Sequence, residues 1–230
     1  MAVIFDATAN TSASTGTSIT WTHAGAASPA NYLSIVGISY FDITASTLNS
    51  VSFGGQAMTQ IIAASPVASQ KAFLFGLINP PAGSQTVQAS FSANVTGFIG
   101  GSSTFTGADQ ITGWHNATSV VRSVSGGALS LTITSASGEM TITNMDGYED
   151  GTQTFTTNQT QRWNGTQQIT GAGDTALGAA SVTHTWTPNI STTYIAIVGA
   201  SIIAAAAAAA PTVGLQTPII HQPPILIQTW

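Results

Sequence analysis

Leu129-Ser130-Leu131-Thr132-Ile133-Thr134 switches between apolar and hydroxyl-bearing residues at every step. Successive side chains of a strand point to opposite faces, so this period of two describes a strand with one buried and one wetted side. Thr86-Val87-Gln88-Ala89-Ser90-Phe91 repeats the pattern. Tyr32 to Tyr40 is apolar on both sides, as a central strand covered on both faces requires.

Outward from these runs, further β-type segments recur between clusters of Gly, Asn, Pro and Ser. They are Val3 to Ala7, Ser18 to Thr22, Ser50 to Phe53, Ala57 to Ile62, Ala72 to Ile78, Phe98 to Phe105, Ser119 to Val124, Met140 to Asn144, Gln153 to Thr157, Ser181 to Trp186 and Thr193 to Ile202. Nothing before residue 200 carries a helical period. The expected fold is all-β: an antiparallel two-sheet β-sandwich, jelly-roll-like, occupying residues 1–203 as one domain. Beyond it, seven alanines (204–210) form a spacer, and 211–230 reads as an extended Pro-rich arm. Its apolar and proline positions are Pro218, Ile219, Ile220, Pro223, Pro224, Ile225, Leu226, Ile227 and Trp230. Such an arm either docks on a neighbouring subunit or folds back on its own sandwich, and the spacer favours exchange between subunits.

Composition narrows the partners. Only three Lys/Arg and eight Asp/Glu occur in 230 residues, a charged fraction of 5% where about 25% is usual. Lys71, Arg122 and Arg162 are too few to neutralise a run of phosphates or to hold an anionic lipid surface, so neither nucleic acid nor membrane is an expected partner. Cysteine is absent, which removes disulfides and thiolate chemistry. With 43% hydrophobic residues the chain has material for a core. Met1-Ala2-Val3-Ile4-Phe5-Asp6 lacks the basic and long apolar regions of a signal peptide, so the expectation is synthesis in a cytoplasm without one.

Catalytic patterns are sparse. The acids gather only in Asp146-Gly147-Tyr148-Glu149-Asp150-Gly151, where Asp146, Glu149 and Asp150 form a weak calcium candidate. The spacing does not match an EF-hand, and the Asp-Gly pairs read more simply as a turn between strands. His23, His115, His184 and His221 are scattered without metal-ligand spacing. Trp21-Thr22-His23 and His184-Thr185-Trp186 each place a tryptophan and a histidine on one face of a strand, either as an aromatic platform or, more simply, as a core cap with a histidine at its rim. No GxSxG elbow occurs, and Gly100-Gly101-Ser102 and Gly171-Ala172-Gly173-Asp174 read as bulges or loops. Six Asn-x-Ser/Thr sequons, at Asn10, Asn94, Asn116, Asn158, Asn164 and Asn189, carry little weight in a chain so rich in threonine. No catalytic residue and no cofactor is expected.

Val51-Ser52-Phe53-Gly54-Gly55-Gln56-Ala57-Met58-Thr59, Leu77-Ile78-Asn79-Pro80-Pro81-Ala82-Gly83 and Phe105-Thr106-Gly107-Ala108-Asp109-Gln110, with the later Gln161-Arg162-Trp163, resemble a β-sandwich module of tailed bacteriophages and environmental bacteria, often encoded among virion structural genes. The resemblance spans roughly Val3 to Ile203 and implies a fold and a context, but no active site. The motifs also have direct physical readings. Phe53-Gly54-Gly55-Gln56 is a hairpin turn that places Phe53 and Met58 against the core, and Asn79 to Gly83 closes one strand before the next.

These features together point to a structural protein of an extracellular assembly: a virion surface component such as a capsid decoration, head-fibre or tail-surface protein. Its partners would be copies of itself and a major structural protein of the particle. The alternatives are a lectin-type module stacking cell-surface glycans on Trp114, Trp163 or Trp186, and a subunit of a non-viral filament.

Overall fold

The computed structural model describes residues 1–27, 29–148 and 153–207. Among them there are seventeen strands and no helix. The first nine are β1 (Ile4–Ala13), β2 (Gly16–Ala24), β3 (Leu33–Phe41), β4 (Leu48–Phe53), β5 (Gln56–Ala57), β6 (Thr59–Val67), β7 (Gln70–Ile78), β8 (Ser84–Val95) and β9 (Gly97–Thr106). The remaining eight are β10 (Trp114–Arg122), β11 (Leu129–Ile133), β12 (Met140–Tyr148), β13 (Phe155–Thr157), β14 (Thr160–Thr166), β15 (Thr170–Leu177), β16 (Val182–Pro188) and β17 (Tyr194–Ile202).

The all-β antiparallel sandwich is present, with four sheets where two were expected. Strands β1-β9-β3-β7-β6 form one sheet and β2-β8-β4-β5 a second; β10-β17-β12-β15-β14 form a third and β11-β16-β13 a fourth. Replacing β1, β2, β3, β4, β6, β7, β8 and β9 by β10 to β17 in order turns the first pair of sheets into the second. Each pair has the jelly-roll order, in which alternate strands interleave into two facing sheets. Only β5 lacks a counterpart among the described residues. The correspondence extends to local irregularities. The first strand of each roll carries a bulge, between Phe5 and Ala7 in β1 and between His115 and Thr118 in β10.

The two five-stranded sheets face each other, so the molecule is a four-layer stack. Contacts across this middle seam come in reciprocal pairs: β1 with β14 and β10 with β6, β9 with β15 and β17 with β7, β3 with β15 and β12 with β7. Strand β3 meets its own counterpart β12. This is the pattern of an isologous two-fold interface, here inside one chain. Each layer gap has its own apolar cluster. Fourteen buried residues, including Trp21, Tyr40, Phe53, Phe91 and Phe98, fill the first roll, and eight, including Ile133, Phe155 and Trp186, fill the second. Thirteen more, including Leu33, Leu74, Phe105, Ile142, Trp163 and Val198, fill the seam.

Trp163 locks that seam. A Cβ placed on Gly37 (β3), Gly101 (β9) or Gly173 (β15) would lie 2.7, 2.3 or 2.0 Å from its indole, so these glycines form a slot that no other residue leaves open. Gly100-Gly101-Ser102 and Gly171-Ala172-Gly173-Asp174 are therefore central strand segments rather than loops, because the ring occupies the space side chains would take. Beside it, the Arg162 guanidinium lies 3.6 Å from the centroid of Phe5 in β1, across the seam.

The hairpin at Gly54-Gly55 holds as expected, with φ of +58° and +78° and with Phe53 and Met58 buried. Asn79 and Gly83 both have positive φ where the chain turns between β7 and β8. After β17, Ala204 bridges Ala108, so the alanine run begins as an extended segment. The arm residues 211–230 lie outside the described residues.

Candidate functional site

Six of the eight acids lie in the described residues, and five of them are acceptor hubs. Asp6 Oδ2 accepts from the Ala26 amide (3.0 Å), the Tyr32 hydroxyl (2.9 Å) and the Thr104 hydroxyl (2.9 Å). Asp42 accepts from the Thr44 amide and hydroxyl and the Ser46 amide. Asp109 accepts from the Ile111 and Thr112 amides. Glu139 Oε2 accepts from Ser135, Ser201, the Ala136 amide and His115 Nε2. Burial alone would raise the Asp6 and Glu139 carboxyls, but these donors outweigh it and hold both below the usual range. Burial, with the Asp6 carboxylate adding to it, pushes the Tyr32 phenol up to about 12.

Inside the first roll, Trp21 Nε1 donates to Ser102 Oγ (3.0 Å), and the His23 ring spans Ser102 Oγ (2.9 Å) and Thr104 Oγ1 (3.0 Å). Thr104 gives its proton to Asp6, which can only accept, so Thr104 must receive one from His23 Nε2. His23 Nε2 therefore carries a proton, while Nδ1 lies against Ser102 Oγ, whose own hydroxyl donates to the Ala9 carbonyl. Burial lowers its pKa, and the charge of Asp6 offsets part of the effect.

The second roll repeats the theme on different strands. Trp186 Nε1 donates to Thr143 Oγ1 (3.2 Å), and His184 lies between Thr141 Oγ1 (2.8 Å) and Asp174 Oδ1 (2.7 Å). Thr143 and Thr157 also donate to Asp174. The hydroxyl, imidazole and carboxylate of Thr141, His184 and Asp174 follow the order of a nucleophile relay. All three are fully buried between the sheets, leaving no room for a substrate at the hydroxyl. The two histidines sit inside the rolls rather than at a rim, and each tryptophan–histidine pair is a satisfied core network.

The proposed stacking residues are corrected by burial. Trp186 is 0% and Trp163 3% exposed, one in the core of the second roll and one in the seam, so neither presents a face to a sugar. Trp114 is half-buried, its ring pressed on β7 where a Gly76 Cβ would lie 2.4 Å away. Of the calcium candidate, the turn reading fails at Asp146. Asp146 is an interior residue of β12 rather than part of a turn, because its strand is paired on both sides, with Gly171 and Ala196 opposite it. Glu149 and Asp150 lie outside the described residues.

Asp146 is the sixth acid, and sequence reasoning missed what distinguishes it. It is fully buried in the seam, and neither carboxylate oxygen has a hydrogen-bond partner. Burial raises its pKa well above the usual value, and the adjacent Gln70 side chain offsets only part of that. Gln70 is also fully buried; its Nε2 reaches the Tyr194 carbonyl at 3.5 Å, and its Oε1 is unpaired. Two residues along the same face of β12, Tyr148 stacks on Phe41 of β3 with centroids 4.8 Å apart. There the seam opens into a cavity of about 240 Å³, lined by Phe41, Val67, Ser69, Gln70, Tyr148 and Tyr194.

Comparison with protein-family models, with curated proteins and with solved structures finds no match for the chain.

Proposed function

We propose that the protein is a structural subunit of an extracellular particle, a bacteriophage virion surface component that meets copies of itself and a major structural protein. One observation carries the reading: in the described residues, both outer faces of the four-layer stack are charge-free hydroxyl surfaces. On the second roll Ser130 and Thr185 are 2.8 Å apart, Thr132 and Thr183 3.0 Å, with Thr134, Thr156 and Thr187 exposed beside them. On the first roll Thr20, Thr22, Ser50, Ser84, Thr86 and Gln88 are exposed, and Gln88 Nε2 donates to Ser18 Oγ at 2.7 Å.

Among the described residues, Asp6, Asp42, Glu139 and Asp174 are spent on acceptor hubs within the fold. Faces without charge cost little to desolvate and do not repel a second copy. The resemblance to phage β-sandwich modules supplies the virion context. Thr20→Lys and Thr132→Lys test the reading: each is expected to leave the melting temperature unchanged and to prevent incorporation into particles or self-association, followed by light scattering and electron microscopy. Unchanged assembly in both variants would remove the outer faces as contact surfaces.

A further inference from the structure

The cavity at the open end of the seam combines features that a structural interface alone does not need. Phe41 comes from the first roll and Tyr148 and Tyr194 from the second, so the aromatic walls exist only because the rolls are stacked. Behind the walls lie the unpaired Gln70 Oε1 and both unpaired oxygens of Asp146. Elsewhere in the described residues, Asp6, Asp42, Asp109, Glu139 and Asp174 each collect two or more donors. A buried carboxylate left without donors is costly unless a proton or a cation neutralises it. Aromatic rings around a cavity with a carboxylate buried behind its lining attract an ammonium group through ring quadrupole and charge together.

We propose that this cavity is a binding site for an organic ammonium group, a methylated amine or quaternary ammonium such as a choline-type headgroup, held by Phe41, Tyr148 and Tyr194 with Gln70 in its lining and the Asp146 carboxylate as the negative charge buried behind Gln70. Calcium takes six to eight oxygen ligands, more than the side chains of this lining supply. The cavity, about 240 Å³ in volume, accommodates a tetramethylammonium-sized head and excludes a large polymer. Among the described residues its titratable lining groups are Tyr148 and Tyr194; Lys71, next to Gln70, lies over the Tyr40 ring, 5.5 Å from its centroid, on the opposite face of β7. Burial raises the Asp146 pKa, so a cation that enters favours loss of its proton.

The experiment is calorimetric titration of the full chain with choline and tetramethylammonium, and with 3,3-dimethylbutan-1-ol as the uncharged isostere of choline, in buffers of different ionisation enthalpy. Expected is one-to-one binding of the two ammonium probes, at least about tenfold tighter than the alcohol, with net proton release. Asp146→Asn is expected to weaken ammonium binding about tenfold or more and to abolish the proton release. Its fold is checked by the melting temperature, which should not fall. Tyr194→Leu should weaken binding while leaving the proton release of the remaining complex in place. The proposal is overturned if neither ammonium probe binds, if the alcohol binds as well as choline, if potassium displaces the probes at equal concentration, or if Asp146→Asn binds like the parent.

Discussion

The two jelly rolls share one strand order and differ in how they fill it. The first encloses fourteen buried apolar residues, six of them aromatic, and its histidine reaches a carboxylate only indirectly, through Thr104 to Asp6 near the rim. The second has eight buried apolar residues and places His184 directly on Asp174 at the centre. Thirteen apolar residues lie between the rolls, more than the second roll holds within itself. The first roll therefore has a core of its own, whereas the second is completed by the seam and by a buried polar network.

If that comparison is right, opening the seam is the most damaging change available. Trp163→Ala empties the slot formed by Gly37, Gly101 and Gly173, and should cost about 3–5 kcal/mol by chemical denaturation. The second roll should lose protection first, read by hydrogen exchange at β11, β13 and β16. Uniform loss across both rolls would mean that they are one cooperative unit and that the asymmetry is only geometric.

Next comes the contrast between the two polar centres. Asp174→Asn disturbs a pair buried on all sides and should cost about 3 kcal/mol, whereas Asp6→Asn, at a half-buried rim position with backbone and hydroxyl donors, should cost about 1 kcal/mol. Equal costs would show that direct burial of the pair adds nothing over the relayed arrangement.

Much of the fold was legible because it follows from patterns with a physical period. The alternation in 86–91 and 129–134 is reproduced as alternating exposure and burial, and Tyr32 to Tyr40 is buried throughout, as a strand covered on both faces must be. What escaped was β14 and β15. Gly171 and Gly173 ordinarily punctuate a chain, but here they make room for Ile99 and Trp163, and that need arises from tertiary packing alone. The duplication escaped for a similar reason, since the halves share strand order rather than residues. Its one local trace is Asp6-Ala7-Thr8 beside Asn116-Ala117-Thr118, each at the bulge of a first strand. The unpaired state of Asp146 could not be read from Asp146-Gly147-Tyr148, where an acid followed by glycine looks like a turn.

Acid titration should sharpen the contrast in a graded way. His23 is held neutral, with a folded pKa below its unfolded 6.5. The unfolded chain then binds the extra proton first, and stability declines as pH falls from about 6.5 toward the folded value. Asp6, Asp42 and Glu139 have lowered values, so their contribution is present above about pH 4 and is lost below it. Asp146 has the opposite sign: its raised folded value means the folded chain keeps a proton the unfolded chain has released, so stability falls as pH rises from about 3.8. Asp146→Asn should flatten that rising-pH loss and stabilise the protein at neutral pH, whereas His23→Gln should remove the decline below 6.5. Denaturation midpoints measured from pH 3 to 8 read both, and a parent curve without either slope would contradict both assignments.

The smallest effect should come from the one element the rolls do not share. Strand β5 and its Gly54-Gly55 turn have no partner element in the second roll, so a complete jelly roll forms there without them. Gly55 has φ of +78° and open space where a Cβ would point, so Gly55→Ala strains only the backbone and should cost roughly 1 kcal/mol. Gly54→Ala meets in addition Gln85 Oε1 at 2.7 Å and Pro81 Cγ at 2.8 Å, and should cost more, because the hairpin tip must lift off the turn after β7. Neither change reaches Trp163, so the amides of β3, β9 and β15 that enclose it should keep their hydrogen-exchange protection in both. A loss of that protection, or a loss of stability at Gly55 as large as that of Trp163→Ala, would place the hairpin among the supports of the seam. The first roll would then owe its independence to β5 rather than to its larger core.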